Sequence, residues 1–150
     1  MDYLDKYLSQ LQFDINNALI GDVADGAKET MQNVIDDVVY KSYNPTVYSR
    51  RGDNGGLSDK RNMIVSAVPN GILLTNETPV NYAYGVSHFA GDKSLSDIIC
   101  EGRDNYMYGD ESYAYYEPRD FMTETQNRLD DGDAEKLVMD ALIKKGYKFD

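Results

Sequence analysis

The sequence predicts an α+β fold: two N-terminal helices, a small, mostly antiparallel sheet and C-terminal helices. Three patterns predict it. Apolar residues recur at helical spacing over residues 3–38. Two short apolar runs, Met63–Val68 and Ile72–Asn76, flank a Pro69-Asn70-Gly71 turn signal. Helical spacing then returns after Pro118. Helices covering one sheet face give a two-layer core, and 150 residues suit a single domain spanning 1–150.

The elements follow in order. Leu4, Leu8, Leu11, Ile15 and Ala18/Leu19 predict an amphipathic helix over 3–20 that stops at Gly21. Asp22 then caps a second helix with the stripe Val23, Ala27, Met31, Val34 and Val38, running to about Ser42. Asn44-Pro45 forbids its continuation, because proline lacks the donor and restricts the residue before it. The hairpin comes next and ends at Glu77-Thr78-Pro79, and residues 80–93 carry no regular pattern. Ser94-Leu95-Ser96-Asp97 has capping-box spacing and opens a short helix that Gly102 stops. Pro118 suits the first turn of a further helix with the stripe Phe121, Met122, Thr125 and Leu129. Asp131-Gly132 breaks it. Asp133 caps a last helix bearing Leu137, Val138, Ala141 and Leu142, with Lys144, Lys145 and Gly146 at its end.

Charge is unevenly placed. Residues 1–40 hold eight acids and two bases, residues 41–61 five bases and two acids, and residues 62–150 eight bases and sixteen acids. A basic stretch between two acidic blocks suits docking on copies of the same chain or on an acidic partner. Within it, Val47 and Tyr48 alternate with polar residues, Arg50-Arg51 follow, and Asp53-Asn54-Gly55-Gly56 reads as a mobile loop. Residues 45–57 are therefore expected to form a flexible arm. Arg50 and Arg51 fit pairing with carboxylates of a neighbouring subunit. They equally fit a solvated edge strand whose charges discourage aggregation. Five of the thirteen tyrosines, Tyr106, Tyr108, Tyr113, Tyr115 and Tyr116, crowd between Arg103 and Arg119. That suits contact with another subunit, although a twisted hairpin packing tyrosines across strands would use them too.

Motifs for chemistry are not met. The one histidine, His88, sits in Gly85-Val86-Ser87-His88-Phe89-Ala90-Gly91, which lacks nucleophile-elbow spacing. Cys100 follows two isoleucines and reads as a packed thiol. One cysteine and one histidine cannot build a conventional structural zinc site. Asp130-Asp131-Gly132-Asp133-Ala134-Glu135 lacks the ligand register of a calcium loop. The glycines at 52–56 lack the Gly-Lys-Ser/Thr ending of a phosphate loop. No catalytic residue, metal or cofactor is expected, and no enzyme. No run of ~18 apolar residues calls for a membrane, and the acidic Met1-Asp2-Tyr3-Leu4-Asp5 start is unlike a signal peptide, so synthesis in the cytoplasm is expected.

Tyr43-x-Pro45-x-Val47-Tyr48-x-Arg50-Arg51, then Gly55-Gly56-Leu57, resembles small neck proteins from phages of Gram-positive bacteria. The broader family is the tail-completion, or head–tail joining, proteins of tailed bacteriophages. There a Gly-Xaa-Leu element precedes a strand and a Pro-Arg-Xaa-Phe element opens the last helical region. Pro118-Arg119-Asp120-Phe121 supplies the second landmark, in the right order, and the resemblance spans roughly residues 23–145. The family's Glu-Phe-Gly-Thr-like element is reduced here to Glu101-Gly102. The resemblance implies a homo-oligomeric ring at the head–tail neck of the virion. Its partners would be head-completion or connector proteins and tail-tube or terminator proteins, with DNA passing transiently through an acidic lumen. With the charge and tyrosine patterns, the expected subunit contacts are Tyr48, Arg50, Arg51, Tyr106, Tyr108, Tyr113, Tyr115, Tyr116 and Arg119.

Net charge −11 also permits a second class of function. A small acidic protein can mimic DNA and block a host nucleic-acid-binding enzyme. A ring former assembles into a large particle. A mimic stays small and binds basic nucleases in a salt-sensitive way.

Overall fold

The structure, a computed structural model, describes residues 2–42, 51–80, 94–102 and 117–150. Helices at the start, a two-stranded antiparallel sheet and helices at the end make the α+β arrangement that the sequence predicts.

Helix α1, Tyr3–Ala18, opens on a capping box that the sequence reading passes over: Asp2 accepts from Tyr3 N, and Asp5 accepts from Asp2 N at 3.3 Å. Helix α2, Ala24–Val34, follows across a wide turn at Leu19–Val23, where Gly21 takes the non-helical pair φ −106°, ψ −106°. Asp22, expected as the α2 cap, has another role. The residue before α2 is already helical, so no side chain caps it, and the Asp22 carboxylate pairs with Lys144 Nζ at 3.1 Å. The helix continues through Ile35–Tyr40 with wider spacing, closed by Lys41 N donating to Asp36 O at 3.0 Å.

Strands β1, Met63–Val68, and β2, Gly71–Asn76, pair in the register Met63↔Asn76 to Val68↔Gly71. The turn between them needs a left-handed residue, and Asn70 supplies it at φ 62°. Alternation sends Met63, Val65 and Asn76, Leu74, Ile72 to one face. Leu74 and Ile72 pack there on the helices, while Ile64, Val68 and Leu73 are exposed on the other face.

Helix α3, Leu95–Glu101, has the predicted Ser94 capping box and stops at Gly102, φ 72°. Helix α4, Phe121–Arg128, starts later than Pro118 implied. Asp120 is its cap, accepting from Thr123 N at 3.0 Å, and Pro118 lies before the first turn. Helix α5, Ala134–Lys144, follows a second wide turn whose Gly132 stands at φ 120°. Asp133 was the expected cap, but its residue is already helical and makes no capping bond. Gly146 at φ 96° ends α5 as predicted, with Gly146 N on Ile143 O and Tyr147 N on Leu142 O.

Among the described residues two apolar clusters result. The larger joins Met31, Val34, Ile35 and Val39 of the second helical stretch to Leu57, Met63 and Phe121. The smaller holds Ala18, Val23 and Ala141, with Leu19, Ile72, Leu137 and Val138 around them. Gly26 lets α2 approach α5 closely, since a Cβ there would overlap the methyl groups of Leu137.

Candidate functional site

The two landmark elements meet in space. The first begins at Arg51, where Asn54 N donates to Arg51 O at 2.9 Å and turns the chain. Gly52 and Gly55 hold positive φ, 55° and 82°. Gly56 is required for a different reason. A Cβ there would sit 2.5 Å from Gly52 O and 2.6 Å from Gly52 N, both backbone atoms that cannot swing away. This close approach delivers Leu57 into the larger core, where it is 4% exposed. The glycines of residues 51–57 thus serve left-handed turns and a close approach of backbone to backbone. Residues 45–50 of the expected arm lie outside the described residues.

Asp59 holds this turn from below. Its buried carboxylate accepts from Gly55 N at 2.6 Å, from Arg61 N at 2.9 Å and from the Arg61 guanidinium at 2.6 Å. The guanidinium first, and then the backbone amides, hold its pKa far below the usual carboxylate range. Two further side chains tie the turn to the sheet. Asn62 Nδ2 donates to Gly56 O at 3.0 Å, and Asn76 Nδ2 donates to Leu57 O at 2.8 Å. Thr78 donates its hydroxyl to Asn76 Oδ1 at 2.6 Å, and Ser96 donates to Asn76 O. Buried Asn76, Thr78 and Ser96 thus satisfy one another and connect the turn to β2 and α3. Gln32 reaches from α2 to Ser58 O at 2.6 Å.

The second landmark closes the same core. Arg119 N donates to Ile99 O at 2.9 Å, and Arg119 Nη1 reaches Val39 O at the end of the second helical stretch, 3.4 Å away. Phe121 follows at 0% exposure, in one cluster with Leu57. Cys100 packs beside them, and burial pushes its thiol up to about 11, so it is protonated at neutral pH.

Of the expected subunit contacts, the structure describes two. Arg51 Nη2 donates to Pro79 O of its own chain at 2.8 Å, and Arg119 is part-buried in the junction above. Both make hydrogen bonds within their own chain. Tyr48, Arg50, Tyr106, Tyr108, Tyr113, Tyr115 and Tyr116 lie outside the described residues, as does His88. Other cations of the basic stretch also find partners at home: Lys41 Nζ meets Asp37 at 2.5 Å, Lys60 meets Glu29 at 3.2 Å, and Arg61 meets Asp59.

Two open clefts lie beside α2. One, about 410 Å³, is lined by Gln32, Asn33, Asp36, Tyr40, Gly52, Asp53 and Ser58. The other, about 510 Å³, lies between α2 and α5 and carries Asp22, Asp25, Glu29 and Asp140 against Lys144. Among the described residues no three side chains are grouped to hold a metal ion. No described helix is long and apolar enough to cross a membrane.

The predicted α1 stripe is largely uncovered at its start: Leu4 is 59% exposed and Leu8 51%, with Tyr3 at 83% and Tyr7 at 48%. Only its second half is covered: Ala18 is buried, and the segment after α5 lies against Asp14 through Tyr147 Oη at 2.8 Å and Lys145 Nζ at 3.5 Å. Two tyrosines interleaved with the leucines were the available signal, since tyrosine favours surfaces that are half apolar and half wet.

No curated protein and no solved structure matches the chain. Residues 1–146 match the YomN family model, so the chain belongs to the YomN family, which is phage-associated.

Proposed function

We propose, from that membership, that this chain is a structural protein of a tailed phage, forming a ring at the head–tail neck. One observation carries the reading. The two elements that resemble tail-completion proteins, Gly55-Gly56-Leu57 and Pro118-Arg119-Asp120-Phe121, converge on one core through Leu57 and Phe121. Motifs that meet in this way are shape-determining parts of a common fold, which is what a likeness carried by structural residues requires. The function then lies in contact, and the reading assigns no bond-making step. Net charge −11 supports it as well, because an acidic wall lets DNA pass without the counterion-release attraction of a basic one. A ring needs heterologous contacts that close around an axis.

The test is assembly. Light scattering and negative-stain microscopy of the purified chain, alone and with the connector and tail-tube proteins of its phage, should give a closed ring. A chain that stays small under all these conditions and instead binds a basic nuclease in a salt-sensitive way would replace the neck reading with DNA mimicry.

A further inference from the structure

We infer that α1 and α5 move as one body about two glycine kinks, opening and closing the acidic cleft between α5 and α2. This motion needs no partner and is independent of the ring proposed above. The chain passes between the α1/α5 pair and the rest of the described structure at two places, Leu19–Val23 and Leu129–Asp133. Each crossing holds a glycine with non-helical angles: Gly21 at φ −106°, ψ −106°, and Gly132 at φ 120°, ψ −11°. Beyond its own turn, a Cβ at either position would meet no described atom within 4 Å. Crowding is therefore not what calls for glycine there. Backbone freedom is, and a few such residues absorb the dihedral changes of a hinge.

Contacts within the pair differ from contacts across to the rest. Within it, Asp14 of α1 accepts from Tyr147 Oη at 2.8 Å and meets Lys145 Nζ at 3.5 Å, and Ala18 shares a cluster with Ala141. Across the gap, Leu137 lies against Gly26 and Ile72 borders the smaller cluster, both apolar contacts that can slide. Beside them the cleft leaves about 510 Å³ open. Its walls carry like charge, with Asp25 and Glu29 on α2 and Asp140 on α5, while Lys144 meets Asp22 at the kink. Like charges push the walls apart, and the length over which they act falls from ~30 Å at ~0.01 M salt to ~3 Å at ~1 M. Screening therefore favours the closed position. Helix α1 has 16 residues and spans about 24 Å, so a rotation of ~10° at the kinks displaces its tip by ~4 Å.

The experiment is pulsed electron paramagnetic resonance on the full chain, with Cys100→Ala and nitroxides on introduced cysteines. Lys6→Cys on α1 with Asn33→Cys on α2 reads the hinge. Lys6→Cys with Lys136→Cys on α5 reads the pair itself, and all three positions are exposed. Raising NaCl from about 0.01 M to about 1 M should shift the first distance by at least ~3 Å and leave the second within ~1 Å. Asp25→Asn with Asp140→Asn should give, at low salt, the distance that the unsubstituted cleft reaches at high salt. Gly21→Ala should at least halve the shift. If circular dichroism shows that Gly21→Ala unfolds the chain, the aspartate pair decides alone. A first distance that ignores both salt and the aspartate substitutions overturns the proposal. So does a folded Gly21→Ala that keeps the full shift. A second distance that changes as much as the first also overturns it, because α1 and α5 then do not move together.

Discussion

The larger and the smaller apolar cluster among the described residues are built on different principles. The larger gathers Met31, Ile35, Met63 and Phe121 at 0–1% exposure from helix, strand and C-terminal segment. It is fenced by a buried polar network in which Asn76, Thr78 and Ser96 satisfy one another. The smaller is made of Ala18, Val23 and Ala141, small side chains that let helices come close, and its rim pairs are exposed salt bridges such as Lys144–Asp22. The first depends on shape and hydrogen bonds that leave no alternative arrangement. The second depends on proximity, which side chains can adjust. Mutations should therefore be felt sharply in one and absorbed in the other.

Phe121→Ala should give the largest effect, a loss of about 3–5 kcal/mol in urea unfolding, because it empties a fully buried aromatic site. A loss under ~1 kcal/mol would show that the larger cluster relaxes like the smaller one. Asn76→Ala should cost about 1–3 kcal/mol, since Leu57 O loses its donor and Thr78 its acceptor inside the core. The glycines sharpen the contrast. Gly56→Ala forces backbone apart and should cost about 1–3 kcal/mol. Gly26→Ala meets the side chain of Leu137 and no backbone, and the helix gains up to ~1 kcal/mol from losing a glycine, so its net change should be near zero by the same measurement once Leu137 turns aside.

The last comparison opens only in acid. Asp59 has a folded pKa below its ordinary 3.8, so its contribution is present above that value and lost as pH falls through the folded pKa. The stability gap between wild type and Asp59→Asn, measured by urea at stepped pH, should be constant from pH 7 to about 5 and narrow below about 4. A gap that widens in acid would contradict the Arg61 pairing.

Much of this fold was legible in local signals. The hairpin, the Ser94 box and the Gly146 stop each follow from a few adjacent residues with one physical reason apiece. Ile35 and Val39 were missed because the wider spacing after Val34 rotates the buried face beyond a 3.6-residue stripe. Asp22 and Asp133 were misread as caps because glycine kinks, not clean stops, join the helices, so the chain there is already helical. The close approach at Gly56 was not legible because glycine signals freedom and crowding alike, and only tertiary packing reveals the crowding. The exposure of Leu4 and Leu8 was not legible because periodicity gives a face but not what lies opposite it.

Phe121 is also the final side chain of the larger cluster to leave the ribosome. The residues it covers, from Met31 to Met63, emerge long before it. Between β2 and Phe121 lie 44 positions, so synthesis leaves the half-built core open for roughly 2–9 s. During that interval the growing chain lacks the side chain that closes over Val34 and Ile35, so surface that ends fully buried stands open to water.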